Sequence, residues 1–356
     1  MLSKKKTIAI IGTGAVGGYY GARLDEAGHD VVFHMRGENF EEAKKTGLKV
    51  ISPDGDMHIA PDRLRAYSTV EEMAAANGGA AFDWVLVALK STAMDLIPDM
   101  LEPLVDKATT RVGLMMNGLV EDELLRLLQL RGIECHSMYG GMAFLCAERT
   151  APARVEHTRY GPIAFGVAFT TSSSDDHEQH VKDLFTNTVV AVSLDKHLLH
   201  GRWKKMMVNL AFNGLCVAMG GVTVDKIAAD PVRRKLAETI MDEAACIGNA
   251  DMAQVYGSGN FELLGDKEKT AMMQWCDGVG KFAPSTMVDF MHGRPMEIRF
   301  LFREPLIRAA RLGVECPALE SLVQQIQCIA EQENSNEQVM AVPNDALQMV
   351  PVTHVA

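Results

Sequence analysis

The segment Arg202-Trp203-Lys204-Lys205-Met206-Met207-Val208-Asn209-Leu210-Ala211-Phe212-Asn213 combines a cation and two carboxamides in a pattern that can do chemistry. On a helix of about 3.6 residues per turn, Lys205, Asn209 and Asn213 follow one another at four-residue steps on one face. That polar stripe sits in an otherwise apolar segment. Burying an ammonium and two carboxamides is costly unless each finds a partner, so the stripe should look onto a polar ligand or another ordered polar group. A solvent-facing stripe is the plainer alternative, and Lys204 points elsewhere. Further on, Ser285, Asp289 and Glu297 recur at intervals of four and eight. Arg294 precedes Pro295 and is disfavoured as helical, so one helix should end there and Glu297 should sit in the first turn of the next. A carboxylate in that position is often only a capping group.

A second constellation lies near the N-terminus. Gly12-Thr13-Gly14-Ala15-Val16-Gly17 follows a short β-branched run and opens a helical pattern, the context in which a GxGxxG spacing signifies dinucleotide binding. Gly12 permits the tight turn, Gly14 lets a pyrophosphate approach the backbone, and Gly17 lets helix and strand pack closely. Free amides at the helix start then bind the phosphate. The next strand ends His34-Met35-Arg36-Gly37, where NAD sites usually carry an acidic residue. Arg36 can pair with a 2′-phosphate, which favours NADP, although Glu38 stands close by and a solvated arginine is the plain alternative. Lys90 closes the apolar run 84–89, at the carboxyl edge where ligands of parallel sheets bind. There it is either a ligand contact or a snorkelling surface lysine.

The elements that must position these groups follow from patterning. Runs 7–11 and 30–34 flank a helix over 15–27, forming a βαβ unit. The unbroken apolar runs 84–89 and 112–116 read as strands covered on both faces, with a helical pattern over 94–104 between them. Runs 155–165 and 189–194 read as later strands. From about Lys196 the chain is rich in Met, Ala and Leu in helical segments (200–220, 230–250, 284–293, 297–312 and 317–332), while 251–283 is glycine-rich and looks irregular or inserted. The expected architecture is α/β: a doubly wound, mostly parallel sheet over residues 1–190, an all-helical domain over 191–332, and a mobile tail over 333–356.

The chain has 356 residues, and its formal net charge is −11. About two domains fit that length. The acidic balance argues against a nucleic-acid or anionic-membrane coat, since basic runs such as Lys4-Lys5-Lys6 are no longer than three residues. That run and the apolar residues after it imitate a secretory signal, but Gly12, Gly14, Gly17 and Gly18 interrupt the imitation and no cleavage site follows. No stretch is long enough to cross a bilayer. The seven cysteines show no metal or disulfide spacing, so no metal is expected and a cytoplasmic location is.

These landmarks together resemble the ketopantoate reductase (2-dehydropantoate 2-reductase) family. They comprise Gly12 to Gly18, Ala88-Leu89-Lys90, Met116-Asn117-Gly118-Leu119, Trp203-Lys204-Lys205 with Asn209 and Asn213, Ser285 to Asp289, Gly293-Arg294-Pro295-Met296-Glu297, and Gly313-Val314 with Pro317. They span about 310 residues in the family's order, and the Lys-Asn-Asn helix is far more specific than the glycine motif. The resemblance implies a Rossmann domain followed by a helical domain, and NADPH-dependent reduction of a small 2-keto acid to a 2-hydroxy acid, a step of pantothenate and coenzyme A biosynthesis. It also implies roles by position. Lys205 matches the general acid, Glu297 the acidic residue of the active site, and Asn209, Asn213 and Ser285 the substrate contacts. Asn117 matches a residue at the junction of cofactor and substrate, and Arg36 and Lys90 match adenosine-phosphate contacts.

An ordinary lysine, with pKa about 10.4, would be protonated at neutral pH and ready to donate. Departures from the family pattern bear on which keto acid is used: Ser285-Thr286-Met287-Val288-Asp289 lacks a Gln before Asp289, and Arg299-Phe300-Leu301-Phe302-Arg303 replaces Asp-x-x-Asn-Gly. The alternatives are a β-hydroxyacid dehydrogenase-like oxidoreductase and a non-catalytic dinucleotide-binding protein. The sequence leaves the oligomeric state open, a homodimer through the helical domain being one arrangement.

Overall fold

The computed structural model describes residues 5–333, so the expected tail lies outside the described residues except for its first position. Two compact units are present. One comprises the described residues up to Met116 together with Val120–Leu198; the other comprises Asn117–Leu119 and the described residues from Leu199 onward.

The first unit is organised by one sheet of ten strands: β1 (Thr7–Ile11), β2 (Asp30–His34), β3 (Leu48–Ile51), β4 (Met57–Ile59), β5 (Ala66–Tyr67), β6 (Trp84–Val87), β7 (Arg111–Leu114), β8 (Ser137–Ala151), β9 (Arg154–Thr170) and β10 (Val192–Asp195). The parallel core runs β8-β7-β6-β1-β2-β5. Its central strands β1 and β6 are apolar at almost every position and buried on both faces, as strands covered by helices on each side must be. The strand order reverses between β1 and β6, and the carboxyl edge at that switch point is where ligands of such sheets bind. Helices α1 (Ala15–Glu26), α2 (Glu38–Thr46), α3 (Val70–Ala76), α4 (Ile97–Leu101), α5 (Glu121–Arg131) and α6 (His177–Phe185) complete this unit.

Sequence patterning and structure differ in instructive places. The helical pattern expected over 94–104 is a 3₁₀ turn, Ser91–Leu96, followed by the short α4. The sheet continues past β8 into the antiparallel β9, which in turn pairs with β3 and β10. Because β10 is a member of this sheet, the division falls after Leu198, beyond the 190 expected from composition. The β8–β9 hairpin is long. Its inner half, Ser137–Met142, is buried, and its outer half carries exposed polar residues, which hid β8 from apolar-run reading.

The second unit is helical, with no strand among its described residues: α7 (Leu198–Val208, of which all but the first residue belongs here), α8 (Gly214–Ala218), α9 (Val224–Ala229), α10 (Pro231–Tyr256), α11 (Asp266–Gly278), α12 (Ser285–Met291), α13 (Glu304–Leu312) and α14 (Pro317–Glu333). The segment 251–283, expected to be irregular, is largely ordered. Helix α10 runs on to Tyr256, and α11 follows a short loop pinned by Asn249, whose amide donates to the Leu264 carbonyl at 2.9 Å and accepts from the Leu264 N–H at 2.9 Å. Two π turns interrupt this unit, Asn209–Asn213 after α7 and Arg299–Arg303 before α13. The second has a local cause. Pro305 lacks the N–H that the Leu301 carbonyl would use in an α-helix, and its ring crowds that carbonyl, so the chain widens.

Candidate active site

The glycine turn is built as its motif requires. Gly12 has φ +93°, and a Cβ there would come within 2.9 Å of the Ala88 carbonyl oxygen; a Cβ at Gly17 would lie 2.1 Å from the Gly12 carbonyl oxygen. Both positions therefore exclude a side chain. At Gly14, in contrast, a Cβ would meet no heavy atom within 4 Å. The space over the middle of the turn is thus open to a ligand. Helix α1 starts there with no side-chain cap and no acidic residue in its first turn, which leaves the amides of Ala15, Val16 and Gly17 for an anion. Thr13 is buried, and its hydroxyl donates to the His34 carbonyl at 3.0 Å. The donor set and the open space fit the pyrophosphate of a dinucleotide.

Beyond β2, Arg36 is exposed and lines a recess of about 320 Å³ together with Glu38, Asn39, Arg149, Ala151 and Pro152. Lys90 is exposed just beyond β6 but does not line that recess. Asn39 is buried and ties the recess to the glycine turn: its amide donates to the Thr13 carbonyl at 3.2 Å, and its Oδ1 accepts from the Ala153 N–H at 2.8 Å. Arg149 and Asn39 escaped sequence reading because the β8–β9 hairpin brings residue 149 to the neighbourhood of residue 36.

In the helical unit, Lys205 lies in the last turn of α7 and is partly exposed. Desolvation pulls its pKa down to about 7, the buried Arg202 guanidinium adds to the fall, and Glu297 opposes it. The ordinary lysine value assumed from sequence therefore does not hold. Glu297 is buried, one residue before the helical Ile298, and accepts from the Asn117 amide at 3.4 Å. Residues Asn117–Leu119 are held in this unit by the second π turn, where the Phe300 carbonyl accepts from the Leu119 N–H at 3.1 Å. The intervening Gly118 has φ +87°, and a Cβ would lie 2.5 Å from the same carbonyl oxygen.

Asn209 and Asn213 open and close the first π turn rather than continuing an α-helix. A four-residue step overshoots a full α turn by about 40°, so an α-helical stripe drifts round the helix. A π turn holds more residues per revolution and offsets that drift. Asn209 is partly exposed, whereas Asn213 is buried and donates to the Thr286 hydroxyl at 3.4 Å. Thr286 was not anticipated. Its neighbour Ser285, the expected contact, opens α12 with an exposed side chain. Asp289 is buried and pairs with Arg294 at 3.3 Å.

Helix α7 is locked from behind. Trp203 is fully buried, and its indole N–H donates to Asp251 at 2.9 Å. Asp251, with no exposed surface, also accepts from Arg308 at 2.7 Å and Arg311 at 3.2 Å. Among the described residues no group of His, Cys, Asp or Glu could hold a metal ion, and no helix is long and apolar enough to cross a membrane.

Residues 8–168 match the family described as ketopantoate reductase PanE/ApbA, and residues 197–330 match its C-terminal counterpart. A 2-dehydropantoate 2-reductase of Nostoc sp. is 32% identical over 326 residues, covering 90% of this chain and 94% of that protein. One of Mesorhizobium japonicum is 29% identical over 311 residues, covering 82% and 87%. The crystal structure of 2-dehydropantoate 2-reductase from Geobacter metallireducens GS-15 matches with a TM-score of 0.80 and 33% identity, over 90% of this chain and 99% of that one.

Proposed function

The chain belongs to the ketopantoate reductase family, and from that premise we propose that it reduces 2-dehydropantoate, a 2-keto acid, to the 2-hydroxy acid pantoate with NADPH as reductant. It is an oxidoreductase of the CH–OH class, and the reading that carries this activity rests on one observation: a sheltered ammonium, Lys205, sits in the field of the buried carboxylate Glu297.

When bound at the glycine turn, the nicotinamide dinucleotide supplies the hydride. As the carbonyl carbon is reduced, negative charge grows on the carbonyl oxygen. Lys205 stabilises that charge and transfers a proton from Nζ to the oxygen, completing the hydroxyl; neutral Lys205 then regains a proton from water. A pKa of about 7 matches the donor to neutral pH, since transfer is easiest from an acid poised near the working pH. Glu297 keeps the ammonium charged by its opposing field, and Asn117 holds Glu297 through its amide. Asn209 presents a carboxamide, donor and acceptor together, to the hydroxy acid. With its Nδ2 engaged by Thr286, Asn213 offers its Oδ1. The exposed Ser285 hydroxyl is available to the same substrate. Arg36, beyond the end of β2, provides the positive charge that a 2′-phosphate requires and so favours NADPH over NADH.

The test is NADPH oxidation measured with 2-dehydropantoate against a panel of other 2-keto acids, alongside NADP⁺ reduction measured with a panel of 3-hydroxy acids. The highest kcat/KM is expected with 2-dehydropantoate. A preference for a 3-hydroxy acid, or no turnover with any keto acid, would overturn the assignment.

A further inference from the structure

Resting on the reading that the glycine turn takes NADP, we propose that Arg149 is a second specificity-determining cation, and that the recess it shares with Arg36 is the seat of the 2′-phosphate. The two arginines reach this recess from places 113 positions apart in the chain, one just beyond β2 and one near the outer end of β8. Among the described residues neither guanidinium is held by a carboxylate in an ion pair. Bringing two like charges to one small recess is unfavourable in itself, and an anion between them relieves it. A phosphomonoester offers several acceptor oxygens to two guanidinium forks, the pairing for which arginine geometry is suited.

The outer end of the hairpin is anchored, as a binding wall has to be. The N–H of Ala153 donates to Asn39, and its carbonyl accepts from the Lys49 N–H at 2.9 Å. The strand β3 then pairs with β9 from Arg154 to Glu156, and Val155 packs so closely on α1 that a Cβ at Gly18 would lie 2.8 Å from its methyl. A register shift between Arg149 and Ala151 inserts Thr150 as an extra residue. Bulges of this kind turn the strand and re-aim its side chains. Asn39 therefore fixes two parts at once, the turn that takes the pyrophosphate and the wall that carries Arg149.

Glu38 lines the same recess and gives the site a second sign. A carboxylate repels a 2′-phosphate but accepts a hydrogen bond from a free ribose hydroxyl. With Arg36 alone the recess would be balanced at one charge of each sign. Arg149 tips it towards the phosphate.

Calorimetric titration of the full-length protein with NADP⁺ and NAD⁺, which differ only in the 2′-phosphate, tests this without turnover. Arg149→Ala should weaken NADP⁺ by about 10- to 100-fold, the effect of losing hydrogen bonds to a charged group, and leave NAD⁺ unchanged. Arg149→Lys should recover part of the loss. Glu38→Gln should act in opposite directions, tightening NADP⁺ about two- to fivefold and weakening NAD⁺. Equal losses for both dinucleotides in Arg149→Ala would show a merely structural hairpin end and overturn the proposal, as would no loss at all. If the unaltered protein itself binds both dinucleotides equally, the NADP reading fails and the seat fails with it. A wild-type preference that survives Arg149→Ala overturns the seat alone.

Discussion

On the proposed reading, the glycine turn and the Lys205 site would handle anions in opposite ways. At the turn, the groups that would meet an anion lie at the surface: backbone amides at the start of α1 and the exposed guanidinium of Arg36. At Lys205 the charge is conditional, because burial and Arg202 have brought the ammonium to the point of losing its proton. A site that only holds its ligand benefits from groups that never titrate, whereas one that must give a proton away needs a group whose two states are close in free energy. The supporting structure differs in the same sense. Steric exclusion at Gly12 and Gly17 shapes the turn, and a buried network of side chains holds α7.

That contrast can be broken experimentally. The largest effect should come from Asp251→Ala, which removes the buried carboxylate shared by Trp203, Arg308 and Arg311 and leaves Arg308 with Glu304; loss of a partner in a buried ion pair typically costs about 3–5 kcal/mol, and chemical denaturation would measure it. A cost under about 1 kcal/mol would mean that the network does not hold α7. Next, Lys205→Met should lower kcat by about 10²-fold or more while NADPH affinity is kept. Near-normal turnover would remove Lys205 from the chemistry.

The same variant should melt at a higher temperature near pH 7. A lysine whose folded pKa is depressed binds its proton less readily when folded than when unfolded, so it opposes folding below about 7, and that penalty fades as pH rises towards the unfolded value of about 10.4. Thermal melts of both proteins from pH 6 to pH 10 should therefore converge. A smaller effect is expected at the turn, where Arg36→Ala should weaken NADPH by about tenfold or more and NADH little; equal losses would deny it the 2′-phosphate. The smallest is the pH profile. The protonated fraction of Lys205 falls about tenfold between pH 6 and pH 8 for a pKa of about 7, so kcat/KM for reduction should decline over that interval, and Arg36→Ala should leave the midpoint in place.

The glycine turn was legible in the sequence because its requirements are local: three glycines, a strand before them and a helix after. The strands β1, β2 and β6 were legible for the same reason, since burial on both faces demands unbroken apolar runs. The Lys205 stripe was legible as a polar face in an apolar segment. Its geometry was not, because a π turn leaves no periodic mark in the sequence and a pKa depends on what surrounds the group in space. Thr286 hid behind Ser285, one position away on a short helix. Arg149 was out of reach altogether, since no spacing relates residue 149 to residue 36. The helix expected over 230–250 runs six residues further, to Tyr256, because the glycines that mark the following loop begin only at Gly257.

The placement of Asn117–Leu119 has a consequence for the order of events during synthesis. These residues leave the ribosome well before Lys205 and 180 positions before Glu297, the partner of Asn117. The sheet around β7 can form while they wait, since domains fold broadly from the N-terminus onward. Asn117 cannot meet Glu297 until residue 297 has been synthesised. The pairing of Asn117 with Glu297 is thus among the last features to mature, and a nascent chain stopped short of Glu297 would carry the glycine turn without the carboxylate that holds Asn117.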